Sequence, residues 1–344
     1  MNMSDSELPV SHVLGLRAGD WVEVRSADEI LGTLDDRGHL DALPFMPEML
    51  QYCGRRFRVF KSAHKTCDTL AHYQIRRMAN AVHLEGLRCD GKAHGGCQAA
   101  CLLFWKEAWL KRAPGLGSQE NHVALPFPTT PAGGSAAGFR CDTETLNRAT
   151  RAPAGDGEVA VDRYSCQATE LLRATTSLKW WEPGPYLKDL ASRNVRLDEF
   201  ILFMIIAAFN FVMRLHWRGE PYTYQFIRRG LAGEKTPTEV LNLRPGDLVQ
   251  VRSKDEIERT LNASQKNRGL FFDVEMVPYC GKTFRVHSRV DQIINEKTGV
   301  MIKMPSACII LEGVICSGCY SISRLFCPRG IYSFWHEIWL KRVE

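Results

Sequence analysis

The sequence lacks the motifs of several common enzyme classes. Its 344 residues contain no phosphate-binding loop, no dinucleotide-binding glycine motif, no HExxH metal pair and no nucleophile elbow. These absences count against the common enzyme classes, although they do not exclude an unusual enzyme.

The chain also lacks a secretory signal and a long apolar run. Residues 1–9, MNMSDSELP, are polar and acidic, without a basic segment followed by an apolar one, so we expect a cytoplasmic protein. The most apolar run, Phe200–Met213, is about four residues shorter than the roughly 18 of a membrane span. It therefore predicts a buried helix and no transmembrane segment. The basic and aromatic residues that follow it leave peripheral membrane contact as a minor alternative.

Neither sign of charge is strongly in excess. The net charge is +5, and 24% of the residues are charged. A dedicated nucleic-acid binder carries a much more concentrated positive charge. Charge alone therefore does not decide between protein and nucleic acid as a partner.

Cysteine, in contrast, is abundant. The chain has 12 cysteines, and its 45% hydrophobic content is enough for two or three packed cores. In a reducing cytosol, clustered cysteines are more often metal ligands than disulfides. We therefore expect metal sites.

The chain contains an internal duplication. Leu84–Arg112 and Leu311–Arg342 both open with LEG and both close with FW-x-E-x-WLKR. Matching order along the chain indicates two copies of one folding unit, at 15–113 and 243–344. The other matching pairs are LRAGDWVEVR (16–25) with LRPGDLVQVR (243–252), and YCGRRFRV (52–59) with YCGKTFRV (279–286).

Each copy has the pattern of a small SH3-like β-barrel. In the first, a Gly-Asp turn precedes the strand pattern of 16–25, and 28–34 has the spacing of one short helix. Several short strands and one brief helix are typical of such barrels. The closing FW-x-E-x-WLKR segment predicts an amphipathic C-terminal helix. Because a barrel this small has a thin core, a structural metal would supplement it. The predicted class is α+β.

The region between the copies has two parts. Residues 114–138 are rich in Pro, Gly, Ser and Ala and predict a flexible linker. Residues 139–235 predict a helical middle region, with a local repeat of a cysteine before Thr-Glu-x-Leu at Cys141 and Cys166. These two cysteines could be further ligands, but buried thiols are the simpler interpretation.

The first copy predicts a four-ligand zinc site. Cys97 and Cys101 are four apart in a predicted helix, so both thiolates share one face. Cys89 lies in the preceding glycine turn, and Cys67 is the fourth ligand, unless His94 replaces it. Zinc accepts four such ligands tetrahedrally, and a closed set is usually structural.

The second copy predicts a related site with one ligand moved. Ile331 stands where the first copy has Cys101, which removes the four-apart pair. Three thiolates with an open position, as in catalytic zinc sites, and no metal at all are the alternatives. The candidate ligands are Cys316, Cys319, Cys327 and Cys308.

Other candidates have two interpretations each. Cys53 and Cys280 recur within YCG, where a small buried residue is the commoner role. Glu107 and Glu337 occupy the same place in both copies and either pair with basic strand residues or act as acid or base. His336 is a further weak candidate for proton transfer.

The signature from residue 76 to residue 112, RRMANAVHLEGLRCDGKAHGGCQAACLLFWKEAWLKR, resembles that of an uncharacterised family of cysteine-rich bacterial proteins. The resemblance extends over both copies and the CQATEL segment. It implies no established activity, and Ile331 departs from the pattern, so the two metal sites need not be equivalent.

The sequence predicts a zinc-stabilised tandem SH3-like binding or scaffold protein with two zinc ions. Its ligand is a protein or a nucleic acid, which the basic strands Arg55–Arg58 and Lys282–Arg285 could contact. The alternative is a metal- or thiolate-dependent enzyme of bacterial specialised metabolism with an open metal site in one repeat. There Glu337 or His336 would transfer the proton. A weaker third possibility is a redox switch whose thiolates release zinc on oxidation.

Overall fold

The computed structural model describes residues 13–69, 74–114, 141–152, 162–179, 181–216 and 223–343. It is a mixed α+β structure, as predicted, with two five-stranded antiparallel sheets, one of them a half-barrel, and a helical middle segment. The predicted linker at 114–138 lies, apart from residue 114, outside the described residues.

In the first repeat the sheet brings together strands that are distant in sequence. Its strands are, in spatial order, Leu102–Lys106, Ala81–Arg88, Arg56–Ser62, Trp21–Val24 and Leu110–Arg112. Helix α1 follows the first strand and comprises Ala27–Leu31, and 3-10 turns comprise Pro47–Tyr52, Lys92–His94 and Glu107–Trp109. The strands are β1 (Trp21–Val24), β2 (His39–Leu40), β3 (Leu43–Pro44), β4 (Arg56–Ser62), β5 (Lys65–Cys67), β6 (Ile75–Arg77), β7 (Ala81–Arg88), β8 (Leu102–Lys106) and β9 (Leu110–Arg112).

Local sequence explains the start of the repeat. In β1, Val22 and Val24 are fully buried and alternate with partly exposed neighbours, as a strand with one face on the core requires. Ser26 accepts a hydrogen bond from the backbone N–H of Glu29, and the Glu29 carboxylate accepts one from the Ser26 N–H. This capping box starts α1.

The middle segment packs onto the first repeat. It contains α2 (Thr143–Ala149), β10 (Thr176–Ser177), α3 (Gly184–Ala191) and α4 (Leu197–His216). Strand β10 extends a small sheet of order β10-β6-β5. The Gln167 amide donates to the Phe104 carbonyl and accepts from the Phe104 N–H, at 2.9 and 2.8 Å. Of the two Cys-before-TExL segments, the first begins α2 and the second forms turns.

The second repeat has the same sheet order, with the strands Tyr332–His336, Met301–Ile315, Thr283–Ile294, Leu248–Val251 and Leu340–Arg342 side by side. The register also repeats, since Val22 pairs with Phe57 in the first copy and Val249 with Phe284 in the second. Its 3-10 turns comprise Val274–Tyr279, Ile322–Arg324 and Glu337–Trp339. The elements are β11 (Leu248–Val251), α5 (Lys254–Glu258), β12 (Lys266–Asn267), β13 (Leu270–Phe271), β14 (Thr283–Ile294), β15 (Met301–Ile315), β16 (Tyr332–His336) and β17 (Leu340–Arg342).

The prediction of a C-terminal helix in each repeat is wrong. The FW-x-E-x-WLKR segment is strand, 3-10 turn and strand in both copies. Trp105 and Trp109 are fully buried because the turn between them aims both rings into the core, where they meet Phe45 edge-on. Their four-residue spacing fits a helix face as well as this turn. Cys97 and Cys101 therefore do not share a helix face, and the helix argument for that pair fails.

The prediction of a buried helix at the apolar run is also wrong. Helix α4 extends beyond the run to 20 residues, and only 11% of its most apolar 18-residue window is buried. Phe200 and Phe203 pack on Phe326, whereas Ile205 and Leu215 are 62 and 71% exposed. By length and composition alone, α4 is the one helix among the described residues that could cross a membrane.

Candidate metal centre

A carboxylate, a thiol and an imidazole meet at one end of the first repeat. The donor atoms of Glu48, Cys89 and His94 all lie within 4.8 Å of one another. Glu48 Oε1 is 2.9 Å from Cys89 Sγ and 3.1 Å from His94 Nδ1. Within the described part of the chain, this is the one such group of three or more His, Cys, Asp or Glu side chains.

Three separate elements position these side chains. Glu48 lies in the 3-10 turn Pro47–Tyr52, Cys89 directly follows β7, and His94 ends the turn Lys92–His94. The Cys89 N–H donates to the Cys101 carbonyl at 2.8 Å, which continues the pairing of the two strands. Glu48 and His94 are 9 and 1% exposed. The group is therefore formed by tertiary packing and is largely shielded from water.

The hydrogen bonds of His94 determine which nitrogen faces the group. Nε2 lies 3.0 Å from the Ser165 carbonyl, which can only accept, so Nε2 carries the proton. Nδ1 then faces Glu48 either as a second N–H of an imidazolium or as a bare lone pair. A lone pair aimed at a buried carboxylate needs a cation between them. Orientation of a ligating ring by a backbone carbonyl is also typical of metal sites.

The carboxylate has spare acceptor capacity. The buried Oε2 of Glu48 has no hydrogen-bond partner among the described residues, and such an atom is costly to bury. Burial raises the pKa of Glu48, but the hydrogen bond and charge of His94 outweigh it and hold the pKa below its ordinary value. Burial, followed by the nearby Glu48 charge, raises the pKa of the Cys89 thiol. A bound cation would offset the negative charge of the Glu48 carboxylate. It would also stabilise the Cys89 thiolate, because the metal ion replaces the thiol proton.

Other predicted ligands surround a small cavity next to this group. The cavity has a volume of about 40 Å³ and is also lined by Cys97, Cys101 and Cys166. Cys97 Sγ accepts the N–H of Ile294 from the second repeat, at 3.4 Å. The structure thus places three of the four predicted first-copy cysteines on one cavity, although not within mutual ligand distance. Cys166 joins them from the middle segment.

Cys67 lies elsewhere. Its backbone N–H donates to Cys327 Sγ at 3.2 Å, so it meets a cysteine of the second repeat. Arg329 donates to the Cys67 carbonyl at 3.2 Å. Cys67 shares a second cavity with Cys101. The predicted first-copy set of Cys67, Cys89, Cys97 and Cys101 does not form one ligand group among the described residues.

The second repeat lacks the three-ligand arrangement in its described residues. Glu275 is the counterpart of Glu48, but its carboxylate accepts the N–H groups of Cys319 and Tyr320 at 3.2 and 2.8 Å. Cys316 takes the place of Cys89, since its N–H donates to Ile331 as that of Cys89 donates to Cys101. Cys319 Sγ donates to the Ser317 carbonyl at 3.6 Å. The predicted second zinc site stays a prediction.

The remaining candidates are held by contacts away from the metal group. Glu107 accepts the N–H groups of Gly15 and Leu16 at 2.9 and 3.2 Å, and Glu337 accepts that of Leu243 at 2.9 Å. Each carboxylate thus anchors the segment that leads into its repeat. His336 Nδ1 lies 3.9 Å from Cys308 Sγ.

Glu48 is the ligand that sequence reasoning missed. A signal was present, because a glutamate precedes the YCG motif by the same four residues in both copies, as Glu48 and Glu275.

Comparisons with known proteins do not identify the chain. No family model, curated protein or solved structure matches it.

Proposed function

We propose that this protein is a zinc-stabilised tandem-repeat binding protein, built from two SH3-like units, with a zinc centre at Glu48, Cys89 and His94. The observation that carries the proposal is the convergence of these three donor atoms within 4.8 Å in a buried place. Zinc accepts thiolate, imidazole and carboxylate ligands together. The thiolate and imidazole make calcium or magnesium, which prefer oxygen, a poor fit.

Whether the zinc centre is structural or catalytic depends on which ligand occupies the fourth coordination position of the tetrahedral ion. A cysteine at this position closes the site, and a water leaves it open. The adjoining cavity of about 40 Å³ has room for a water molecule but not for a metabolite, since ligand pockets measure roughly 300 Å³ or more. This small volume favours the structural role. The three-ligand donor set keeps the alternative, a metal-dependent enzyme, as the second candidate.

The basic strand of the first repeat favours a protein ligand over nucleic acid. Arg56 pairs with Glu23 at 3.2 Å, and Arg58 lies 4.0 Å from Glu85. Arg55 lies over the rings of Tyr52 and Phe57. Acidic partners within the same surface reduce the positive charge that phosphates would meet.

Elemental analysis of protein purified without a metal-binding tag tests the metal centre. We expect about one zinc ion per chain at this site, and its loss in Cys89→Ser, His94→Ala and Glu48→Gln. The matched control is Glu275→Gln, the same change at the equivalent position of the second repeat, and it should retain the zinc.

Full zinc content in all three first-repeat variants would overturn the proposed centre. Equal loss in the Glu275→Gln control would do the same, because it would attribute the loss to general unfolding. A second zinc ion that disappears in Cys319→Ser would instead add the site predicted for the second repeat.

A further inference from the structure

Two thiols from different repeats meet where the repeats join. Cys67, the last residue of β5, donates its backbone N–H to Cys327 Sγ at 3.2 Å. The side chain of each also affects the pKa of the other, as neighbouring sulfur atoms do. The two residues are 260 positions apart in sequence and are 2 and 3% exposed. This contact is separate from the proposed zinc centre and joins one cysteine from each of the two predicted ligand sets.

The surroundings stabilise a negative charge on one sulfur of this pair. Cys327 Sγ accepts the backbone N–H of Cys67. The Arg329 guanidinium is buried and donates to the Cys67 carbonyl and to Glu296 Oε1, at 3.2 and 3.0 Å. Burial alone raises the pKa of Cys327, but the hydrogen bonds from Cys67 and Arg329 outweigh burial and lower it. The hydrogen bond to Cys327, followed by burial, raises the pKa of Cys67. The Cys67 N–H that points at Cys327 Sγ and the nearby Arg329 guanidinium thus make Cys327 the sulfur on which these surroundings favour a negative charge.

Cys67 of this pair borders a cavity that a small molecule can enter. This cavity has a volume of about 380 Å³, and Cys67, Cys316 and Arg329 are among the residues that line it. The sulfur atoms themselves are nearly covered. An oxidant therefore has to be small to reach them.

We propose that Cys67 and Cys327 form a redox-active dithiol that hydrogen peroxide, or another small hydroperoxide, converts to a disulfide joining the two repeats. In this pair Cys327 is the attacking residue and Cys67 is the resolving residue. The product would link the repeats covalently at the place where they already touch.

The reaction proceeds in two balanced steps. The Cys327 thiolate attacks one peroxide oxygen and the O–O bond breaks, which gives a sulfenic acid and, after protonation of the leaving hydroxide, one water. The Cys67 sulfur then attacks the sulfenic sulfur and the S–O bond breaks. The Cys67 proton leaves with the hydroxyl group as a second water. Two thiols are oxidised by two electrons in total, and one peroxide is reduced to two waters.

Peptide mapping of the full-length protein tests the proposal. After brief treatment with a small excess of hydrogen peroxide and alkylation of the remaining thiols, we expect a Cys67–Cys327 cross-linked peptide and the loss of two free thiols. The oxidised chain should migrate faster in a non-reducing denaturing gel, because the bond closes a long loop. Glutathione disulfide, which is much bulkier, should produce the cross-link far more slowly.

Single variants separate the two roles. Cys67→Ser should abolish the cross-link and accumulate sulfenic acid on Cys327 that a dimedone probe labels. Cys327→Ser should abolish both the cross-link and the labelling at this site. Cys53→Ser, a matched control outside the pair, should react like the unaltered protein.

Three results would overturn the proposal. They are a peroxide-treated protein in which both thiols stay reduced, a cross-link that joins either cysteine to another partner, and a Cys67–Cys327 bond that forms only after a chelator has removed metal. The last result would assign the pair to a second metal site. Peptide mapping of the unaltered protein tests the proposal even if a variant fails to fold.

Discussion

Two buried histidines of the first repeat lie in different chemical surroundings. His94 faces the Glu48 carboxylate, whereas His83 packs against Phe104 with ring centroids 4.4 Å apart and ring planes tilted by 47°. His83 Nδ1 donates to the Leu103 carbonyl at 2.9 Å, and its other nitrogen has no hydrogen-bond partner among the described residues. Burial lowers the pKa of His83 to about 3. His83 is therefore neutral in the folded protein, and the surroundings of His94 suit a cation.

His83 should make the fold sensitive to mild acid. Its folded pKa lies below the unfolded value of about 6.5, so its contribution is complete above that pH and declines as the pH falls toward 3. Between pH 7 and pH 5 this group alone should lower the free energy of unfolding by about 2 kcal/mol. His83→Gln keeps an N–H donor but does not titrate, so the variant should lose less stability over the same interval. Denaturant unfolding at the two pH values measures the difference, and equal losses in both proteins would contradict the assignment.

At the scale of elements, the loop between β7 and β8 holds two of the three proposed zinc ligands. Gly91 has a φ of +68°, and a Cβ there would lie 1.9 Å from the Cys97 carbonyl oxygen. The Gly91 carbonyl accepts the N–H groups of His94 and Gly96, both at 2.9 Å. Only glycine allows the chain to approach itself this closely.

Gly91→Ala should open this loop and release zinc. A suitable control is Gly86→Ala, because Gly86 has a φ of +73° but nothing within 4 Å of an added Cβ. The control should lose only about 1–2 kcal/mol for the left-handed backbone and keep its zinc. Thermal unfolding together with elemental analysis compares the two variants. Full zinc content in Gly91→Ala would contradict the role given to the loop.

At the same scale, sequence periodicity predicted some elements correctly and one incorrectly. The strand β1 and helix α1 follow directly from alternation and a capping box, which are local properties. In β8 every residue is buried, so no alternation is visible. A fully buried segment cannot be assigned to helix or strand from spacing alone. The four-residue spacing of Trp105 and Trp109 therefore led to the incorrect prediction of a helix.

At the scale of the whole molecule, Lys65 connects three parts of the chain. Its ammonium lies 2.5 Å from Asp189 Oδ2 in the middle segment and donates to the Leu325 carbonyl of the second repeat at 2.9 Å. Lys65 and Asp189 are both fully buried. Burial lowers the pKa of Lys65 and raises that of Asp189, and the charge of each partner opposes the shift of the other. Each charge is therefore stabilised by the other, and removal of one leaves the other buried without a counterion.

Lys65→Met should destabilise the protein by about 3–5 kcal/mol, because it leaves a buried carboxylate without its cation. The double variant Lys65→Met/Asp189→Leu should recover much of this loss, since neither charge then remains buried. A double-mutant cycle of unfolding free energies measures the coupling. Additive effects of the two single changes would show that the pair does not act as a unit.

The sequence by itself determined the duplication, and with it the shared sheet order and register of the two repeats. It also determined the strand β1 and the capped helix α1, since these depend on neighbours a few residues away. The abundance of cysteine likewise pointed to thiol and metal chemistry.

Only the tertiary structure decided which side chains meet. Glu48 joins Cys89 and His94 although about 40 residues separate it from them, and Cys67 meets Cys327 across the repeat junction. Spacing along a chain limits contacts within one element, but contacts between elements depend on how the sheets and the middle segment pack. That packing brought Cys166 to the first repeat, because Gln167 hydrogen-bonds the backbone of β8.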